Sequence, residues 1–156
     1  MLQMLPESGR IINIRPCAAG PDNNTQDSTA VNLNNAQMCY IIVNTLEGDA
    51  ANYTLTIRED GAAVAARNIA NNVNIWHNNN IAVNALTTRQ ANATQLVVAG
   101  STTNKLTIFA INPDRLGDGY TQVILRVDST TGVQDAGNQI ISAIAVIVPG
   151  RYKDPR

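Results

Sequence analysis

The chain has 156 residues and a formal net charge of −1, and 44% of its residues are hydrophobic, 15% charged and 4% aromatic. A chain of this length can form one domain that buries a sizeable core without metal or disulfides. The near-neutral charge and the few aromatic residues argue against a basic surface for nucleic acid or for an acidic membrane.

Residue usage favours β-structure throughout the chain. There are 20 Asn and 14 Thr residues but only 2 Lys residues. Short polar side chains suit turns and pleated surfaces, whereas they fit helix interiors poorly. The sequence therefore predicts an all-β protein.

Residues 1–28 are predicted to form an extended N-terminal arm. Pro6, Pro16 and Pro21 interrupt short apolar pieces, and a polar joint at 22–27 precedes the regular pattern. Proline resists both helix and central-strand positions. The arm is nevertheless too apolar for a solvated tail, so we expect it to lie on another surface, such as a neighbouring chain. The apolar residues that we expect to make this contact are Leu2, Met4, Leu5, Ile11, Ile12 and Ile14.

Residues 29–150 are predicted to form a sandwich of about eight strands. Alternation is clear where Tyr53, Leu55 and Ile57 are interleaved with polar residues, which indicates one buried face and one wetter face. Gly- and Asp-containing turns separate the segments. Two packed sheets would satisfy this pattern. The predicted strands are 29–33, 38–44, 53–59, 67–76, 94–99, 105–111, 120–128 and 140–148, and a short helical turn capped by Asn112 is predicted at 112–116.

No constellation of metal ligands stands out. His77 is the only histidine, and we expect it in a turn or on the surface. Cys17 and Cys39 show no metal-ligand spacing; buried or incidental thiols are the simpler interpretation, and a disulfide stays open. The segment 22–27 lacks the central glycine and closing glutamate of an EF-hand loop. We therefore expect no metal and no cofactor.

No catalytic motif stands out either. No serine lies in a GxSxG elbow. The carboxylates Glu47, Asp49, Glu59 and Asp60 lie in turn-like sequence, where acidic residues serve solubility and turn geometry. We expect a protein that is not an enzyme.

The two ends of the sequence carry further signals. The start lacks the basic and apolar regions of a secretion signal, and no apolar run approaches the length of a membrane span. Cytoplasmic synthesis without membrane attachment is therefore expected. Residues 151–156 form a basic tail in which Arg151, Tyr152 and Lys153 could contact an acidic partner, although a solvated terminus is the commoner outcome.

The succession of segments 28–37, 40–43, 48–59, 74–76, 105–113 and 119–125 resembles small virion proteins of tailed bacteriophages. The likeness covers residues 28–153 and is to capsid-decoration or minor head proteins. It implies a β-sandwich, of jelly-roll or β-tulip-like form, on the outer surface of the capsid. It further implies a homotrimer that binds the major capsid protein and stabilises the lattice, with no cofactor.

Two alternatives stay open at this point. One is a tail, collar or head-to-tail adaptor component. The other is a β-sandwich module that binds carbohydrate or a host surface, for which Trp76 is the first aromatic residue to test.

Overall fold

The computed structural model describes residues 9–19, 25–47, 52–83, 87–100, 102–128 and 139–150. Nearly all regular structure in these ranges is β, as the sequence predicted. Two 3₁₀ turns, Ile81–Val83 and Pro113–Arg115, interrupt it, and no helix in these ranges has the length and apolarity needed to cross a membrane. The strands are β1 (Arg10–Ala19), β2 (Thr25–Asp27), β3 (Val31–Asn32), β4 (Ala36–Glu47), β5 (Tyr53–Gly61), β6 (Val64–Asn68), β7 (Asn74–Asn78), β8 (Thr88–Arg89), β9 (Gln95–Val98), β10 (Lys105–Ile111), β11 (Gln122–Asp128) and β12 (Gln139–Pro149).

The strands form two antiparallel sheets that pack face to face. The front sheet has the order β1-β12-β4-β10-β7-β8. The back sheet has the order β2-β11-β5-β6, with β3 also paired to β11 and β9 also paired to β5. Because β2 and β3 border successive parts of β11, and β9 and β6 border successive parts of β5, the back sheet is only four strands wide.

The connectivity is that of a jelly roll. Counting β2 and β3 as one strand, and setting aside β6 to β8 as an insertion, leaves eight strands in chain order. In this count, strands 1, 8, 3 and 6 (β1, β12, β4 and β10) form the front sheet. Strands 2, 7, 4 and 5 (β2 with β3, β11, β5 and β9) form the back sheet. The chain therefore crosses between the sheets at most connections, and long-range antiparallel pairs hold each sheet together, which is the double Greek key of a jelly roll. The predicted two-sheet sandwich is confirmed.

The hydrophobic core lies between the sheets and is built from alternate residues of each strand. In β5, Tyr53, Leu55 and Ile57 point inward, as the alternation predicted. Burying such a side chain stabilises a fold by about 1.5–3 kcal/mol, so this layer provides most of the driving force for folding. The largest fully buried side chains are Tyr53, Phe109, Ile14, Ile41, Leu55, Ile57, Ile69, Ile75, Ile111, Leu125 and Ile141.

The predicted arm differs from the observed structure in its described part. Residues Arg10–Ala19 form the edge strand β1 of the front sheet, and Thr25–Asp27 form an edge strand of the back sheet. Pro16 is tolerated because it lies on an edge strand, in a stretch where the register with β12 shifts twice. Residues 10–19 are thus an edge strand of the sandwich and not a separate extended arm.

The predicted strand 67–76 is two strands in different sheets. β6 belongs to the back sheet and β7 to the front sheet, and the chain crosses between them at 69–73. Ile69 and Val73 are both buried at this crossing. The apolar sequence pattern therefore continues from β6 to β7, although the chain changes sheets between the two strands. By contrast, the predicted turn at 112–116 is confirmed, with the Asn112 side chain accepting a hydrogen bond from the Asp114 N–H.

Candidate interaction surface

The outer face of the back sheet is polar and is held by ion pairs. Asp27 accepts two hydrogen bonds from Arg126, at 2.7 Å each, and one from Arg58, at 3.1 Å. The hydrogen bond from Arg126, together with the positive charges of both guanidinium groups, lowers the pKa of the Asp27 carboxyl against the opposing effect of its partial burial. This face shows the wet exterior expected of an antiparallel sheet.

The outer face of the front sheet is different, because the described outward positions of its central strands carry no charged residue. Strands β4, β10 and β12 alternate between the core and this face. We call this surface the apolar face. Its described outward residues are Met38, Tyr40, Ile42, Asn44 and Leu46 on β4, Leu106, Ile108 and Ala110 on β10, and Ser142, Ile144, Val146 and Val148 on β12.

The strand register aligns these residues in rows across the sheet. One row runs from Trp76 through Ile108 and Ile42 to Ile144. The next runs from Ala110 through Tyr40 and Val146 to Ile11 on β1. Three apolar side chains protrude markedly, since Ile11 is 57% exposed, Leu46 48% and Ile144 37%. A contiguous apolar patch of this kind on a folded chain marks an interaction surface.

Arg89, on β8, lies at one edge of the apolar face. Its guanidinium lies 5.0 Å from the centre of the Trp76 ring, in cation–π geometry. The same guanidinium donates to the side chains of Asn74 and Asn92, at 2.9 and 2.7 Å. One face of the indole is therefore covered. Ala110 and Val146 are only 6% and 8% exposed, so the accessible part of the surface is formed by the other apolar outward residues of β10, β4, β12 and β1.

The predicted interface residues of the N-terminal segment fall in three places. Ile11 lies on the apolar face, Ile12 is half-buried against the core, and Ile14 is 1% exposed within the core. Ile14 is therefore not accessible to a partner of the folded chain. The remaining predicted contacts, Leu2, Met4 and Leu5 and the tail residues Arg151, Tyr152 and Lys153, lie outside the described residues.

The start of β1 and the end of β12 lie at the same end of the sandwich. Arg10, which starts β1, pairs with Ile147 near the end of β12, and the Gly150 N–H donates to the Asn35 carbonyl at 2.8 Å. Two open grooves, of about 310 and 360 Å³, meet at this end and share Asn34, Asn35 and Ala36 as lining residues. The chain thus enters and leaves the fold beside a polar, grooved surface that adjoins the apolar face at Ile11.

His77 is buried, contrary to the expected turn or surface position. Its Nδ1 lies 2.9 Å from the Thr107 hydroxyl and its Nε2 lies 2.6 Å from Asn79 Oδ1. The side chain points inward from β7, where these polar partners offset the cost of burial. Both ring nitrogens are engaged, and the described residues hold no cluster of three or more His, Cys, Asp or Glu side chains.

Cys39 is a free thiol buried in the core, and burial raises its pKa to about 12. Through β12, Cys39 aligns with Ile147, whereas Ala18, the neighbour of Cys17, aligns with Ile141. Six residues along a strand span about 20 Å, while disulfides need Cα atoms within about 7 Å. The two cysteines of one chain are thus too far apart to pair.

Glu59 has a structural role that the sequence did not reveal. It was interpreted as a turn residue, but it points inward from β5 and is fully buried. Its carboxylate accepts hydrogen bonds from Arg67 Nε at 2.7 Å and from the Gly117 N–H at 2.9 Å. Arg67 in turn lies over the Tyr120 ring at 4.6 Å. This cluster fastens the loop between β10 and β11 onto the edge of the back sheet.

Comparisons with known proteins find similar shapes at low sequence identity. No family model and no curated protein matches the chain. The SPBc2 prophage-derived protein YomS aligns with 6% identity and a TM-score of 0.49 over 90% of this chain and 92% of its own. The xylan-binding module CBM86 of Roseburia intestinalis aligns with 9% identity and a TM-score of 0.40 over 90% and 95%. The Tobacco streak virus coat protein aligns with 9% identity and a TM-score of 0.40 over 98% and 94%. Values this low transfer no residue role or activity to this chain.

Proposed function

We propose that the protein is a structural virion protein that decorates the outer surface of a major capsid lattice and stabilises it. The observation that carries this proposal is the apolar face. An antiparallel sheet that is apolar on both sides is typical of a layer covered on both sides, and the fold itself covers only one. In an assembly, a neighbouring subunit covers the outer side of the front sheet.

The terminal segments are the proposed contacts with the major capsid protein. Both leave the sandwich at the end that carries the two grooves, beside Arg10 and Gly150. Leu2, Met4 and Leu5 supply apolar contacts, while Arg151 and Lys153 supply positive charge for an acidic partner. Repetition over a symmetric shell lets a modest affinity per copy give firm attachment.

A glycan-binding role has less support. Sugar sites commonly stack a pyranose ring on an exposed aromatic face. Trp76 is only partly exposed, and Arg89 occupies one face of its ring. A glycan array is therefore expected to show no binding that Trp76→Ala removes.

The test is to locate the protein in purified particles of the virus that encodes it. We expect mass spectrometry to find it at a copy number comparable to that of the major capsid protein, and electron cryomicroscopy to find it on the outside of the shell. Particles that lack it should release DNA at lower temperature. Absence from the particle, or a ring at the neck or along the tail, would contradict capsid decoration.

A truncation locates the attachment. Removing residues 1–8 leaves β1 and Ile14 in place, whereas a cut after residue 21 would remove a core strand. We expect the shorter deletion to fold and to lose occupancy on the shell. The matched control removes residues 154–156 and keeps Arg151, Tyr152 and Lys153, and it should retain occupancy.

A further inference from the structure

We propose that the apolar face binds a second copy of this chain, so that two front sheets pack face to face about a two-fold axis. This inference deepens the assembly role proposed above and rests on it. It assigns the apolar face to self-association and leaves the grooved end for the lattice.

The chemistry of the face favours a copy of itself over a charged partner. The described outward positions of β4, β10 and β12 contain no Asp, Glu, Lys or Arg. A partner with charged groups would have to desolvate them against this surface without any opposite charge in return. The apolar face of a second copy carries no charged group at these positions, so its burial has no such desolvation cost.

The polar residues of the face also suit self-pairing. Asn44 and Ser142 align with each other on β4 and β12, and Asn13 aligns with Ile144 from β1. Asn13 lies at the β1 end of the row of Ile108, Ile42 and Ile144, and Asn44 and Ser142 lie in the next row. An isologous contact centred on Ile42 and Ile144 places this apolar row in the middle and Asn13 at the rim, while Asn44 and Ser142 lie between the centre and Leu46.

The size of the face fits a small interface between two copies. Its four accessible strands, from β1 to β10, are spaced about 4.8 Å apart and give a width of roughly 19 Å. Four rows of outward residues, about 6.8 Å apart, give a length of roughly 27 Å. The product is about 520 Å² per copy, or about 1,000 Å² in total, which is near the lower limit for a specific interface. Two sheets that pack face to face lie about 10 Å apart.

The experiment measures the mass of the full chain by sedimentation equilibrium over a range of concentrations. We expect a dimer that dissociates on dilution. Ile144→Asp places two like charges near the two-fold axis and should raise the dissociation constant at least about tenfold. The side chain is 37% exposed in the single chain, so the fold should survive the change, and circular dichroism checks this.

A matched control tests whether any new charge on an exposed apolar residue has the same effect. Val97 is 60% exposed on β9 and pairs with Thr54, on the outer face of the back sheet. Val97→Asp should leave the dimer intact. If Ile144→Asp does not fold, Ile11→Asp supplies the same measurement at the β1 side of the face.

Several results would overturn the inference. They are a monomer at every concentration, a trimer, a dimer that Ile144→Asp and Ile11→Asp leave unchanged, or equal dissociation by Val97→Asp. The trimer implied by the sequence resemblance would need a different contact, because an isologous two-fold contact closes as a pair. The location of the protein in the particle is measured separately, so a monomer that still decorates the shell refutes only the self-association.

Discussion

A hydrogen bond between the two sheets provides the sharpest test of how the sandwich is held together. Tyr53 lies on β5 of the back sheet and Thr45 on β4 of the front sheet, and both are almost fully buried. The Tyr53 hydroxyl donates to Thr45 Oγ1 at 2.9 Å. The bond therefore crosses the core near one end of the sandwich. Tyr53→Phe and Thr45→Val each remove one partner and preserve most of the side-chain volume.

Each single change removes the hydrogen bond between the two hydroxyls. A buried hydrogen bond of this kind stabilises a fold by about 1 kcal/mol net, and removing both of its partners together costs less than the two single changes added. Each single variant should therefore lower the free energy of unfolding by about 1–2 kcal/mol. For a chain of this size, that is a drop in Tm of about 2–4 °C for each kcal/mol. The double variant should cost less than the sum by about 1 kcal/mol.

Urea unfolding at one fixed protein concentration measures all four free energies, and unchanged slopes show that the unfolded state is the same. The control is Tyr120→Phe. Its hydroxyl makes a long, 3.4 Å contact with the Ala65 carbonyl at the surface, so the change should cost less than about 0.5 kcal/mol. If the two single costs simply add in the double variant, the bond does not couple the sheets and the reasoning fails.

Three further predictions follow from single side chains. Because Arg126 lowers the pKa of Asp27, the ion pair stabilises the fold above the ordinary carboxyl pKa of about 4, and this stabilisation is lost as pH falls through the lower pKa of the folded state. The difference in the free energy of unfolding between wild type and Asp27→Asn should therefore shrink in acid. A constant difference from pH 7 to pH 2 would contradict this. In a Cys17→Ser background, the Cys39 thiol, with a pKa of about 12, should resist Ellman's reagent at pH 8 until urea unfolds the chain, and rapid reaction of the folded protein would show that the site is open. Asn35 has a positive φ of 64°, so Asn35→Gly should be tolerated while Asn35→Ala costs about 1 kcal/mol in thermal unfolding; equal Tm values for the two variants would refute the conformational reason.

The strands were largely predictable from sequence, because period-two alternation is a local property. β5, β10 and β11 fall close to their predicted positions. β1 was missed because Pro16 and its place before a polar joint are typical of an arm, and only the pairing with β12 makes it part of a sheet. The split between β6 and β7 was missed because the buried crossing at Ile69 and Val73 continues the apolar pattern.

The apolar face was predictable in part. Alternation predicts one wetter face for strands such as β5, but the runs 40–43 and 140–148 are almost continuously apolar. Such runs indicate strands covered on both faces. That signal is present in the sequence. Which strands pair with each run, and therefore which residues form rows across the sheet, depends on the strand register.

The burial of His77 and Glu59 lay beyond sequence reasoning. Both are polar residues whose local sequence favours a turn or surface position, and both point into the sandwich. Each is tolerated because distant residues, Thr107 and Gly117, supply hydrogen-bond partners. Partners 30 and 58 positions away along the chain are not visible in a local pattern.

The sequence alone determined the all-β class, most of the strands and the lack of any recognisable catalytic motif, because these depend on side-chain chemistry and on a two-residue period. Only the tertiary structure decided the jelly-roll order, the place of β1 in the front sheet and the alignment of apolar side chains into one face. These features arise when strands far apart in the chain pair in a particular register, and that register is fixed by the whole core rather than by any one segment.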